Sequence, residues 1–144
     1  MKELKFLKQE LAPVRDILLG LKLKGKSSRL RMKLVREINT HIEEFTTDEK
    51  QLFEEYVLKG EDGEPLKIKK EVDGDTKELF DFDDEPKFLE ELQVLHTESI
   101  SIEADQLKDS IEVILEALDQ SEEELSGLEA LSHDLLYEKL EKAI

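Results

Sequence analysis

Residues 20–27, GLKLKGKS, match the spacing of a phosphate-binding loop, G-x-x-x-x-G-K-[ST]. In such a loop backbone N–H groups cradle the phosphates, the lysine reaches the terminal phosphates and the hydroxyl holds magnesium. The arrangement needs a strand before it, a helix after it and small residues inside. Here the preceding segment reads as a helix and the interior is the bulky Leu21-Lys22-Leu23-Lys24. No apolar strand ending in a magnesium-binding aspartate follows, so nucleotide hydrolysis is not expected. A narrower chemistry survives: a new helix N-terminus with Lys24, Lys26 and Arg29 beside it can hold a phosphate-containing small ligand without hydrolysing it. That reading makes the chain a small-anion or nucleotide-binding protein that sequesters a signal.

The remaining candidate groups are weaker. Asp73, Asp75, Asp81, Asp83, Asp84 and Glu85 crowd one stretch, and carboxylate oxygens suit calcium or magnesium. The glycine and terminal glutamate of a calcium-binding loop are missing, so the stretch reads as a solvated acidic edge. His41, His96 and His133 are dispersed, with no metal-ligand pair and no serine signature near them. Ser126-Gly127 lacks the flanking glycines of a nucleophile elbow. The two tyrosines and six phenylalanines lie on apolar faces and do not suggest a platform for bases. No catalytic residue, metal or cofactor is assigned, and the chain reads as a non-enzyme.

The strongest asymmetry is electrostatic. Lys22, Lys24, Lys26, Arg29, Arg31, Lys33 and Arg36 crowd a chain of net charge -16. Residues 1–36 carry +8 and residues 37–144 carry -24. An acidic body repels nucleic acid and anionic membrane, which both reward positive charge. It also permits imitation of the DNA phosphates towards a basic protein groove, though acidity for solubility explains it as well. The basic end has two readings. Either it folds against the acidic remainder as solvated ion pairs, each worth little alone, or it is the surface that meets an anion or a partner.

These groups need elements to position them. At 144 residues, 38% hydrophobic and 40% charged, the chain is expected to fold as a single domain, residues 1–144, with a highly charged surface. It has no cysteine, which excludes disulfides, thiolate metal sites and thiol nucleophiles. No apolar run approaches the roughly 20 residues of a membrane span, and MKELKFLKQE has no signal-like core. A soluble protein of the bacterial cytoplasm is expected.

Residues 3–8 alternate as a short strand. Val14, Ile17, Leu18 and Leu21 then fall on one helical face, stopped near Gly25. Ser27 or Ser28 is expected to cap a second helix carrying Leu30, Leu34, Ile38, Ile42 and Phe45, which makes an N-terminal helical hairpin. Thr46-Thr47-Asp48 predicts a kink or a restart before Leu52, Phe53, Tyr56 and Val57. Leu66, Ile68 and Val72 alternate into the hairpin turn Asp73-Gly74-Asp75, with a return strand at 78–83. Helices follow at Pro86 and Asp105, separated by the strand ESISIE of residues 98–103. Ser121 with Glu124, and Ser126 with Glu129, read as capping boxes. A last helix is expected to turn Leu128, Leu131, Leu135, Leu136 and Leu140 inward. The fold class is α+β, predominantly helical, with one small antiparallel β-sheet.

Three stretches together, LKLKGKSSRLRMKLVREI at 21–38, LFEEYVLKGEDGEPL at 52–66 and SGLEALSHDLLYEKLE at 126–141, resemble a family of small uncharacterised proteins of bacteriophages and prophages of Gram-positive bacteria. The likeness runs over most of the chain, weakest at the N-terminus and through residues 67–97, and its most specific part is the turn from Leu23 to Arg29. The resemblance implies a phage or prophage origin and brings no activity or catalytic residue. The expectation is a non-enzymatic accessory protein that binds a host or phage macromolecule, most simply a protein, through the seven cations. The small-ligand reading is one alternative. A virion or assembly component, built by head-to-tail pairing of basic and acidic faces into a homo-oligomer, is the other.

Overall fold

A computed structural model describes residues 2–144. The fold is α+β and mostly helical, with strands β1 (Glu3–Leu7), β2 (Lys67–Val72), β3 (Asp75–Phe80) and β4 (Ser99–Glu103). The helices are α1 (Leu11–Gly20), α2 (Gly25–Tyr56), α3 (Glu85–His96), α4 (Lys108–Gln120) and α5 (Gly127–Lys142). The chain divides into two compact units, residues 2–45 with 97–144, and residues 46–96. The strands form two separate two-stranded antiparallel ladders, β1–β4 and β2–β3, where one small sheet was expected.

In the first unit β1 and β4 alternate as half-buried strands should. Leu4 pairs with Ile102 and Phe6 with Ile100, while Glu3, Lys5, Ser101 and Glu103 are exposed. The inward side chains join a core built from Leu11, Val14 and Leu18 of α1, Leu34, Val35 and Ile38 of α2, Ile111, Ile114 and Leu118 of α4, and Leu136 and Leu140 of α5. Within each helix those positions recur at three- and four-residue steps, one face of a 3.6-residue period. Residues 21–24 link α1 to α2, compatible with the expected hairpin. The first turn of α2 is reached through Gly25, whose φ of 54° is left-handed and favours glycine.

In the second unit β2 and β3 meet at a two-residue turn with Asp73 at φ 54° and Gly74 at φ 83°, the mirror-image turn that matches strand twist. β3 starts at Asp75, directly after the turn, and ends at Phe80, so the return strand lies earlier than residues 78–83. Phe82 forms an isolated bridge to Val57 instead. The hairpin is largely solvated. Its apolar support is an aromatic group: Phe53 meets Phe80 edge-on at 5.0 Å and Phe82 edge-on at 5.8 Å, and Phe82 stacks on Phe88 at 4.4 Å.

Three sequence expectations are corrected. α2 runs unbroken through Thr46, Thr47 and Asp48. Their poorer helix propensity costs about 1–2 kcal/mol together, whereas breaking and re-nucleating the helix costs about 4 kcal/mol. Of the α5 leucines, Leu136 and Leu140 are buried, but Leu128 is 81% and Leu131 67% exposed. Leucine occupies more than one face of α5, and spacing alone does not say which face meets the core. The segment 121–126 has no regular secondary structure, so Ser121 caps no helix, and Ser126 precedes α5 with no side-chain cap hydrogen bond.

Candidate functional site

The seven cations sort into three environments. Lys22 and Lys24 stand exposed on the link between α1 and α2. Lys26, Arg29, Lys33 and Arg36 are exposed on α2. Their spacing puts them on one side of the helix, around Leu30 and Met32, over a shallow depression of about 480 Å³. Arg31 alone turns inward and is 9% exposed.

Arg31 acts as a clamp between the two helices. Its Nη1 donates to the Leu18 carbonyl at 3.2 Å and to the Leu21 carbonyl, and its Nη2 donates to Ser28 Oγ at 2.8 Å. Those carbonyls lie at the C-terminal end of α1, where backbone oxygens lack helical partners and the dipole favours a cation. Ser28, expected as a possible cap, therefore accepts from this guanidinium. The Arg31 Nε is buried with no partner among the described residues, so the fork is anchored at its tip.

The six exposed cations form no ion pair among the described residues. The ion pairs that exist lie elsewhere, such as Lys8–Glu98 at 2.8 Å and Lys70–Glu85 at 3.2 Å. Folding against the acidic remainder is thus not what occupies this face. Its positive potential is available to something outside the chain, with Leu30 as an apolar centre.

The phosphate-loop spacing does not build a phosphate loop. Gly20 ends helix α1 rather than a strand, and Leu21 leaves it in an extended conformation, φ -69° and ψ 132°. The acidic stretch is scattered along the hairpin and the start of α3. Lys70 engages Glu85, and Asp84 Oδ1 accepts from the Lys87 N–H at 3.3 Å. No group of three or more His, Asp or Glu side chains among the described residues could hold a metal. The histidines remain apart: His41 lies on α2, His96 pairs with Glu49 at 2.8 Å, and His133 lies on α5.

One feature escaped the sequence. The ends of α1 and α4, the segment 121–126 and the start of α5 surround a groove of about 880 Å³. Its apolar lining includes Pro13, Ile17, Leu21, Leu23, Leu125 and Leu128. Asp16, Glu122, Glu123 and Glu129 supply four carboxylates, with Lys22 the one basic side chain among its lining residues and His133 beside them. The signal was present as leucines on two faces of residues 128–140, but assigning all of them to the core hid it.

No protein-family model, curated protein or solved structure matches the chain. Among the described residues no helix is long and apolar enough to cross a membrane.

Proposed function

We propose that the chain is a non-enzymatic interaction protein, a phage or prophage accessory protein of the bacterial cytoplasm, that binds another protein through the exposed cations of residues 22–36. The observation that carries the reading is the set Lys26, Arg29, Lys33 and Arg36, exposed and without ion pairs around Leu30 on one side of α2. Fixed cations around an apolar anchor favour an acidic protein surface, because complementary charge speeds encounter and sets register while the anchor supplies desolvated contact. Arg31 belongs to the scaffold that holds α2 against α1, and its part in binding is indirect.

The test replaces Lys26, Arg29 and Lys33 by Gln together. All three are exposed, so the helix is expected to keep its far-ultraviolet dichroism. Affinity purification from a bacterial lysate at about 0.1 M salt, where surface charges act over about 10 Å, is then compared for both proteins. We expect the co-purifying protein to fall at least about tenfold with the triple variant. An unchanged set of partners refutes the assignment. A nucleotide or small anion retained by the wild type in native mass spectrometry moves the conclusion to the ligand-sequestering alternative.

A further inference from the structure

We propose that the acid-rimmed groove receives the basic side of α2 from a second copy of this chain. The inference rests on the binding role of that side and names its partner. Two surfaces on the same unit of the chain are complementary in charge, and both carry apolar side chains. The groove has an apolar lining, with Leu128 81% exposed, and carries the carboxylates of Asp16, Glu122, Glu123 and Glu129. The side of α2 presents Leu30 between Lys26, Arg29, Lys33 and Arg36. Four exposed cations beside the half-buried Leu30 match in charge a groove that carries three unpaired carboxylates around an apolar lining.

A copy cannot fill its own groove. The opposite side of α2 is fixed in the core by Leu34, Val35 and Ile38, each fully buried, so the basic side points away from its own core. Asp16 is held by Arg15 at 3.3 Å, but Glu122, Glu123 and Glu129 form no ion pair among the described residues and neither do the cations of α2. That leaves the electrostatic match to a contact between molecules. The net charge of -16 opposes association at long range. At about 0.1 M salt that repulsion is screened beyond about 10 Å, while pairs brought into contact keep most of their attraction. The two surfaces differ, so one contact is heterologous. Lys22 and Leu23 line the groove only a few residues before Lys26 opens the basic side. Two copies can therefore exchange contacts reciprocally and close as a dimer, or add on as an open chain.

The experiment is sedimentation of the full chain at about 0.1 M and about 0.5 M salt, up to about 300 µM, where a contact with Kd near 100 µM is mostly populated. Three proteins are compared: wild type, a groove variant (Glu123→Lys, Leu128→Ser, Glu129→Lys) and a helix variant (Lys26→Glu, Arg29→Glu, Lys33→Glu). All substituted positions are exposed, and circular dichroism checks each fold. We expect the wild type to associate at the lower salt and at least about tenfold more weakly at the higher. Each variant alone is expected to lose association at least about tenfold. The charge-reversed sites put lysines in one groove and glutamates on the other helix, so mixing the two variants is expected to restore a one-to-one complex.

A monomeric wild type overturns the second copy as partner and leaves the basic side to its own lysate test. Association lost in the helix variant but kept in the groove variant overturns the groove while upholding the basic side. Association kept in both overturns the groove and speaks against the binding role of the basic side as well.

Discussion

Replacing Arg31 by Met tests whether this residue is a scaffold element or part of the binding surface. Methionine keeps an unbranched apolar stem and removes the fork of donors. The wild-type guanidinium is 9% exposed and serves the Leu18 carbonyl, the Leu21 carbonyl and Ser28 Oγ. A hydrogen bond from a charged donor contributes about 1.5–3 kcal/mol, and a buried acceptor left unserved costs about 1–3 kcal/mol. The full sum overstates the loss for two reasons. The Leu18 carbonyl also accepts from the Leu21 N–H at 3.3 Å, and methionine escapes the desolvation of a buried cation that has no carboxylate partner here. The expected net loss is about 2–4 kcal/mol. Arg31→Lys should fall between, because one ammonium cannot span three acceptors in the planar geometry of the fork. Urea unfolding followed by far-ultraviolet dichroism reads the midpoint and slope, and an unchanged slope makes the difference one of stability. A loss under about 0.5 kcal/mol for Arg31→Met would refute the clamp. Partner binding lost without a change in stability would return Arg31 to the surface set.

Three further outcomes are expected. Leu136→Ala should cost about 2–5 kcal/mol in urea unfolding, whereas Leu128→Ala should stay within about 0.5 kcal/mol, because Leu136 is fully buried and Leu128 is 81% exposed; equal losses would contradict the orientation of α5. Phe82→Ala removes the ring stacked on Phe88 at 4.4 Å and edge-on to Phe53 at 5.8 Å, at a cost of about 2–3 kcal/mol. Hydrogen exchange should then quicken at the Leu58, Leu66 and Asp81 amides, which are bonded around it, and unchanged protection there would argue against the aromatic support. A hydrogen bond to Asp119 first, and partial burial second, hold the Tyr137 hydroxyl above its ordinary value of 10.0. Folding therefore favours the protonated phenol, and its stabilising share is complete below about pH 10 and lost as pH rises through the folded value. Partial burial and a hydrogen bond to Glu91 raise Tyr56 as well, so absorbance at 295 nm should show both tyrosines titrating late, and Tyr137→Phe should leave Tyr56 alone. A phenol titrating at or below pH 10.0 in the folded protein would contradict the Asp119 bond.

By itself the sequence determined the period of each element and the places where the chain must turn. Val14, Ile17 and Leu18 marked α1, the alternation of ESISIE marked β4, and Asp73-Gly74 marked the hairpin, because these signals are local and depend on a few neighbours. The clustering of cations at residues 22–36 was equally legible, as was the absence of a strand before Gly20. What only the tertiary structure decided was which side of each element is covered. Arg31 lies among exposed cations in sequence, yet the end of α1 draws its side chain inward. Leu128 and Leu131 share a helix with Leu136 and Leu140, yet α1, α4 and β1 accommodate only one face of it. Thr46 to Asp48 carry the residue types of a cap, yet the helix is cheaper to continue than to restart. Burial and capping depend on what approaches from distant parts of the chain, and the groove that arises between α1, α4 and α5 exists only once those parts have met.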